Sequence, residues 1–208
     1  LKRQFGWARA VAEAMGLPCY GDDRYEADDL IGTLASYWRA RGHPICIVTV
    51  DKDLAQLVGE SDHWWDFSRN QKLNAAQLTE KFGVTPRQMA DFLALTGDAV
   101  DNIPGIPGIG PKSAAALLRH FGDFDSLYAR LDEVPALGIR GAASLQRKLL
   151  EHRGAAELAR KLTVIETSVA SALAAPGLLR SAVDTARLNR LFDELAFGGM
   201  LRQRCLRV

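Results

Sequence analysis

A run of glycines and prolines near the middle of the chain constrains its fold more than any other feature. Residues 103–118 read IPGIPGIGPKSAAALL, so glycines and prolines give way to an alanine-rich apolar stretch. Glycine allows turns and close backbone approaches that other residues do not, and proline is well tolerated at the first position of a helix. The run predicts a helix-hairpin-helix over residues 97–121, with a turn that requires Gly105, Gly108 and Gly110 and a second helix from Pro111.

Such a hairpin is suited to holding a phosphate group. Glycines let the backbone approach a phosphate closely, and the free amides of the following helical turn can donate hydrogen bonds to it. Lys112 adds a positive charge at this place, and Ser113 follows it. A unit of this kind holds the sugar–phosphate backbone without reading bases. The alternative is a plain loop between two helices, which the order G-I-G-P-K-S disfavours.

The first third of the chain alternates between helical and extended patterns. Residues 5–15 and 26–42 have helical apolar spacing, whereas PICIVTV (44–50) is a continuous apolar run, typical of a strand buried on both faces with Cys46 inside it. Residues 17–20 and 63–67 are further strand candidates, and Trp64 and Trp65 are expected to pack in the core. The pattern predicts a doubly wound, mostly parallel α/β sheet in residues 1–72, followed by a helical part in residues 73–208.

Seven acidic residues lie at the expected ends of these elements, in three groups. They are Glu26, Asp28 and Asp29 at the start of helix 26–42, Asp51 and Asp53 after strand 44–50, and Asp98 and Asp101 before the hairpin. Each group alone has an ordinary explanation, because acidic residues also cap helices and form turns. However, ligands of open α/β sheets bind at the carboxyl ends of the strands, which is where Asp51 and Asp53 are expected.

Together the three groups predict a metal site. If the carboxylates converged, they would repel one another by several kcal/mol even at an effective dielectric constant of about 20, so cations would have to neutralise them. Ligands that are all oxygen favour Mg²⁺ or Mn²⁺. Two such ions about 4 Å apart are a known arrangement for in-line attack on a phosphodiester. The prediction depends on convergence of the three groups.

The composition excludes several other classes of protein. The formal net charge is only +1, so a nucleic-acid site would require local separation of charge. Three cysteines and four histidines are scattered along the chain, which disfavours a zinc site and a disulfide framework and favours a reducing, cytoplasmic compartment. No membrane-spanning stretch or signal peptide is recognisable, so we expect no membrane binding.

Four segments of the chain carry a resemblance to a known family. They are YEADDLIGTLA (25–35), TVDKDLAQLV (49–58), residues 81–118 and LFDELAFGGML (191–201). They resemble the bacterial 5′–3′ exonuclease/flap endonuclease family, which includes the nuclease domain of DNA polymerase I and free-standing relatives. The resemblance runs from about Trp7 to near the C-terminus, and its motifs are long and in the family's order.

The resemblance implies an activity and roles for residues. It implies hydrolysis of DNA at a 5′ end, flap or nick, selective for structure and not for sequence, leaving 5′-phosphates, by a monomer in replication and repair. The positions that match Glu26, Asp28 and Asp29 serve mainly one metal, and those that match the other four aspartates serve mainly the second. The hairpin holds duplex DNA, often with a K⁺ ion on hairpin carbonyls, for which Ile106 and Ile109 are the candidate positions.

The chain also departs from the family's pattern. Family members begin with two strands that each carry a metal-binding aspartate and continue with a basic helical arch, and none of these precedes Leu1. We therefore expect at least one βαβ unit, on the order of 30 residues, to be missing, and the bare chain to be poorly soluble or nearly inactive. Two alternatives remain. The first is a non-catalytic DNA-binding remnant, favoured by the missing N-terminal acids and disfavoured by the seven acids that are present. The second is a PIN-type RNase, disfavoured by the hairpin.

Overall fold

The computed structural model describes residues 2–139, 141–174 and 177–206. Its helices are α1 (Lys2–Ala14), α2 (Ala27–Arg39), α3 (Ala75–Phe82), α4 (Met89–Thr96), α5 (Pro111–Phe121), α6 (Phe124–Ala129), α7 (Ala142–Glu151), α8 (Arg153–Thr163), α9 (Ala170–Leu173), α10 (Thr185–Glu194) and α11 (Gly199–Leu206). Its strands are β1 (Cys46–Val48), β2 (His63–Asp66), β3 (Gln71–Leu73), β4 (Gly97–Asp98) and β5 (Ile103–Pro104). Short 3₁₀ helices cover Asp53–Leu57, Pro86–Gln88 and Leu131–Ala136.

The chain forms two compact units, one of residues 28–169 and one of residues 1–27 with 170–208. In the second of these units α1 packs against α10, with Ala14, Leu188 and Phe192 fully buried. Asp184 caps α10 by accepting a hydrogen bond from the Arg187 amide at 2.8 Å. The predicted domain boundary between residues 72 and 73 stays a prediction, because a division by contacts within the chain does not test it.

The unit of residues 28–169 contains a small mixed sheet followed by helices. β1 pairs with β2 in parallel, with Ile47 opposite Trp64, and β2 pairs with β3 in antiparallel orientation. Trp64 is buried as predicted, and its indole nitrogen donates a hydrogen bond to the Asp51 carbonyl at 2.8 Å. An α/β layer followed by a helical part is therefore confirmed.

Two expectations about strands were wrong. Residues 17–20 form no strand: Pro18 lacks an amide hydrogen, and the Cys19 carbonyl accepts a hydrogen bond from the Arg9 side chain at 3.0 Å. Strand 44–50 shortens to β1, and only one of its faces is covered. Ile47 is buried, whereas Cys46 is exposed and Val48 is 59% exposed on the opposite face.

The buried helix α4 directly precedes one of the acidic residues, Asp98. All residues of α4 from Met89 to Leu95 are buried, so this helix lies in the core of its unit. Asp91 on α4 accepts hydrogen bonds from the Phe124 amide at 2.9 Å and the Arg160 side chain at 2.7 Å, which tie α4 to α6 and α8. Since α4 ends at Thr96, a rigid element sets the position of Asp98 two residues later.

Across the described ranges, no helix combines the length and the apolar character that crossing a bilayer requires.

Candidate metal centre and phosphate-binding hairpin

The turn after β1 holds Asp53 in place through a series of local hydrogen bonds. The Asp51 amide donates to the Thr49 hydroxyl at 3.0 Å, and the Asp53 amide donates to the Asp51 carboxylate at 2.9 Å. Asp53 then begins a 3₁₀ helix whose Leu54 and Leu57 side chains are buried. Because its neighbours are fixed in the core, Asp53 stands at the carboxyl end of β1, where the alternation of strands and helices predicts a ligand.

A tight hairpin brings a second pair of acids to the same place. β4 and β5 pair in antiparallel orientation, with Asp98 opposite Ile103, and the turn between them carries Asp101. Asp98 is buried, and one of its carboxylate oxygens accepts a hydrogen bond from the Val100 amide at 2.9 Å. Asp101 is exposed.

Asp53, Asp98 and Asp101 together could hold a metal ion. Each offers a carboxylate oxygen, and the three oxygens lie within 4.8 Å of one another. One carboxylate oxygen of Asp53, Oδ1, is buried and has no hydrogen-bond partner among the described residues. A buried oxygen without a donor is costly unless a cation satisfies it, and oxygen ligands suit Mg²⁺ or Mn²⁺. The residues therefore fit a divalent ion.

The carboxylates of this cluster carry more negative charge than the nearby ammonium of Lys52 can neutralise. Burial raises the pKa of Asp53 to about 6; Lys52 opposes the rise, while the charges of Asp51, Asp98 and Asp101 add to it. Burial also pushes the pKa of Asp98 upward, but hydrogen bonds from Lys52 and from the Val100 amide outweigh it, so this pKa lies below its usual value. The charge of Asp51 therefore acts on Asp53, while the role of Asp51 as a metal ligand stays a prediction.

The Asp53 carboxylate should reduce the free energy of unfolding above about pH 6 when no metal is bound. Its pKa is higher in the folded protein than in the unfolded chain, so the penalty is absent below about pH 4, grows as pH rises to about 6, and is constant above. Allowing for the partial exposure of the group, Asp53→Asn should raise the free energy of unfolding by about 1–2 kcal/mol at pH 7.5 in EDTA. Urea titrations at pH 4.5 and 7.5 measure this gain, and an equal gain at both pH values would contradict it.

The first acidic group lies at the start of α2. Asp28 and Asp29 are in the first turn of this helix, and Glu26 precedes it and is exposed. Asp29 accepts a hydrogen bond from the Glu166 amide at 2.9 Å. The group of three carboxylates does not include these residues, so their role in a second metal site stays a prediction.

Sequence reasoning missed Lys52. Its ammonium donates a hydrogen bond to the Asp98 carboxylate and lies 3.8 Å from Asp53 Oδ1. The available signal was its position between two candidate ligands in the segment DKD. That position does not tell which way the side chain points.

The turn of the hairpin is formed by residues 106–109. The Ile109 amide donates to the Ile106 carbonyl at 2.9 Å, with Pro107 second in the turn and Gly108 third at a φ of 80°. Proline followed by a residue with positive φ is the signature of a type II turn, so Gly108 is required as predicted. The side chains of Ile106 and Ile109 are buried, and the binding of K⁺ by their carbonyls stays a prediction.

The other two predicted glycines differ from each other. A Cβ at Gly105 would collide with the Thr96 carbonyl group and the Gly97 amide nitrogen, so the prediction for Gly105 is confirmed. Gly110 has a φ of −93° and open space beside it, so the expectation that the turn requires glycine there was wrong. Its ordinary backbone conformation is that of a residue preceding a helix.

The start of α5 presents donors to an anion. Pro111 is its first residue, Gly110 provides no side-chain cap, and the first internal hydrogen bond runs from the Ala114 amide to the Gly110 carbonyl at 3.0 Å. The amides of Lys112 and Ser113 therefore have no partner within the helix. The ammonium of Lys148, on α7, occupies the space beside Gly108 and adds a charge that the hairpin motif did not predict.

Comparison with known proteins agrees with this geometry. Residues 1–83 match the 5′–3′ exonuclease N-terminal resolvase-like domain, and residues 84–186 match the 5′–3′ exonuclease C-terminal SAM fold. The chain belongs to the 5′–3′ exonuclease family. The family members' fold, a resolvase-like α/β domain followed by a helical domain, corresponds to the sheet and the helices described above.

Individual relatives match over unequal parts of their length. DNA polymerase I of Pseudomonas aeruginosa is 43% identical over 92% of this chain, which covers 21% of the polymerase. Flap endonuclease Xni of Cronobacter sakazakii is 40% identical over 74% of this chain, which covers 59% of that enzyme. The chain thus spans about a fifth of the first relative and less than two thirds of the second.

Solved structures show the same fold. A structure of T5 5′-exonuclease with bound zinc ions has a TM-score of 0.59 at 22% identity, covering 86% of this chain and 62% of that one. The catalytic core of Rad2 in complex with a DNA substrate has a TM-score of 0.64 at 16% identity, covering 99% of this chain and 68% of that one.

Proposed function

We propose that this chain supplies a metal centre and the DNA-binding hairpin of a 5′–3′ exonuclease or flap endonuclease. The observation that carries the proposal is the group of Asp53, Asp98 and Asp101, whose oxygens lie within 4.8 Å and include one buried oxygen without a donor. The phosphate-binding hairpin follows Asp101 within a few residues. The proposed metal centre and the proposed DNA-binding hairpin are therefore adjacent in the fold.

The carboxylates would hold the divalent ions. Asp53, Asp98 and Asp101, with Asp51 beside them, would bind one Mg²⁺ or Mn²⁺, and Glu26, Asp28 and Asp29 would bind a second. Such ions, when bound, activate water and stabilise the charge of the leaving 3′-oxygen. The buried position of Asp98 at the end of α4 orients its carboxylate before any ion binds.

The hairpin would hold the backbone of duplex DNA. The amides of Lys112 and Ser113, which have no partner within α5, would donate hydrogen bonds to a phosphate oxygen, and the ammonium of Lys112 would add a positive charge. K⁺ on the carbonyls of Ile106 and Ile109 would add positive charge there. Since β4 and β5 pair directly, the fold would fix the distance between a phosphate bound at the hairpin and the carboxylates.

The substrate would be DNA with a 5′ end, flap or nick, cut without regard to sequence to leave 5′-phosphates. Family membership argues against a PIN-type RNase, and the donorless oxygen of Asp53 argues against a non-catalytic remnant. We further propose that the protein acts as a cytoplasmic monomer in replication and repair, in line with the free thiols of Cys19, Cys46 and Cys205.

A cleavage assay tests the proposal. The native gene product is incubated with a 5′-flap DNA duplex, a nicked duplex and an RNA duplex of the same sequence, in Mg²⁺ or in EDTA. We expect 5′-phosphorylated products from the DNA substrates in Mg²⁺ alone. Cleavage of the RNA duplex as fast as the DNA substrates, or cleavage of DNA in EDTA, would contradict the proposed function.

Lys112→Ala should weaken DNA binding without affecting chemistry. Loss of one phosphate contact should lower the slope of log affinity against log salt concentration by about 0.9, equally for all duplex sequences. Lys72→Ala is the matched control, because Lys72 is an exposed lysine on β3, outside the hairpin. Fluorescence anisotropy at several salt concentrations measures the slope. An unchanged slope for Lys112→Ala would mean that the hairpin is only a turn.

A further inference from the structure

The side chain of Lys52 enters the group of carboxylates that we propose to bind metal. Its ammonium hydrogen-bonds to Asp98 and lies 3.8 Å from Asp53 Oδ1. The two aspartates are largely shielded from water, since 3% of the Asp98 side chain and 15% of the Asp53 side chain are exposed. In contrast, 38% of the Lys52 side chain is exposed. Lys52 thus places a positive charge where the carboxylates would otherwise repel one another.

A divalent ion and this ammonium would compete for the same carboxylates. An ion held by the three carboxylates would need their oxygens at about 2.0–2.1 Å, and one of the residues concerned, Asp98, is already bonded to Lys52. Two cations at such short range repel strongly in a partly buried place. Lysine carries its charge on a flexible four-carbon stem, and the exposure of Lys52 leaves it a path into water.

We propose that Lys52 is a built-in counter-cation, which holds the carboxylates together before a divalent ion binds and is displaced when the ion arrives. The inference rests on the proposed metal centre. It assigns to Lys52 a positioning role with two opposite effects. Lys52 stabilises the metal-free protein, and it competes with the metal ion, so that the affinity for the ion is lower than the carboxylates alone would give.

The opposite effects make the test specific. We would titrate the native gene product with Mn²⁺ in the absence of DNA and follow free Mn²⁺ by electron paramagnetic resonance. Lys52→Met should bind Mn²⁺ about fivefold to tenfold more tightly, because the competing charge is gone. Lys72→Met removes the same charge from an exposed position on β3 and should change the affinity less than about twofold.

Unfolding supplies a second readout that a purely structural lysine would not give. Lys52→Met should lower the urea midpoint in EDTA, and the loss should disappear at saturating Mn²⁺. Lys52→Arg keeps the charge and should keep the midpoint in EDTA near that of the wild type. An equal loss for Lys52→Met in EDTA and in Mn²⁺ would overturn the proposal.

The affinities separate this inference from the proposed function. Wild-type binding of Mn²⁺ with unchanged or weaker binding by Lys52→Met would overturn the role of Lys52 alone. If Lys52→Met is unfolded in EDTA, Lys52→Gln replaces it in the same titration, with the same tighter binding expected. Absence of Mn²⁺ binding by the wild type and the variants would overturn the metal centre, and this inference with it.

Discussion

Asp101→Asn is expected to slow single-turnover cleavage of a 5′-flap DNA by at least about 100-fold at saturating DNA. Asp101 supplies one of the three oxygens that lie within 4.8 Å, and loss of a metal ligand should cost about 3 kcal/mol of transition-state stabilisation. Because Asp101 is exposed in the turn between β4 and β5, the fold should tolerate the change. Rapid-quench measurements on the native gene product give the rate.

Binding should respond in the opposite direction. In Ca²⁺, used as a non-reactive substitute ion, Asp101→Asn should bind the duplex as well as the wild type or more tightly, since a negative charge near the DNA is gone. Asp132→Asn removes the same charge from an exposed position outside the cluster and should leave cleavage within about twofold of the wild type. Unimpaired cleavage by Asp101→Asn would remove Asp101 from the metal centre.

The hairpin could be predicted from sequence because its determinants are local. Proline followed by glycine at 107 and 108 specifies the turn, and Pro111 specifies the start of α5, within a few residues of each other. Gly110 shows the limit of this reasoning. A glycine in a glycine-rich run need not occupy a conformation that only glycine adopts, and its φ of −93° does not.

The candidate metal centre was predictable only in part, because it depends on tertiary contacts. Asp98 and Lys52 lie 46 residues apart, and sequence spacing does not show that their side chains meet. The family resemblance supplied candidates from both segments, but only the fold shows which of them share a site. The exposed face of β1 has a similar origin: a run of apolar residues shows which side chains favour burial, and the neighbouring elements decide whether burial occurs.

Gly105→Ala is expected to lower the free energy of unfolding by about 2–4 kcal/mol. The new Cβ would collide with the Thr96 carbonyl group and the Gly97 amide nitrogen, which are backbone atoms at the end of a buried helix. They cannot move without displacing α4, so β5 would have to separate from β4. Urea unfolding in EDTA measures the loss.

Gly110→Ala is the matched control for this prediction. Open space surrounds Gly110 and its φ is negative, so the same added methyl group should change stability by less than about 1 kcal/mol. Separation of β5 from β4 would also move Asp98, so Gly105→Ala should weaken Mn²⁺ binding whereas Gly110→Ala should not. Asp101→Asn, in contrast, should weaken Mn²⁺ binding without loss of stability. If Gly105→Ala destabilised the protein yet bound Mn²⁺ normally, the carboxylates would be held independently of the hairpin. The fold would then not fix the distance between the phosphate-binding hairpin and the carboxylates.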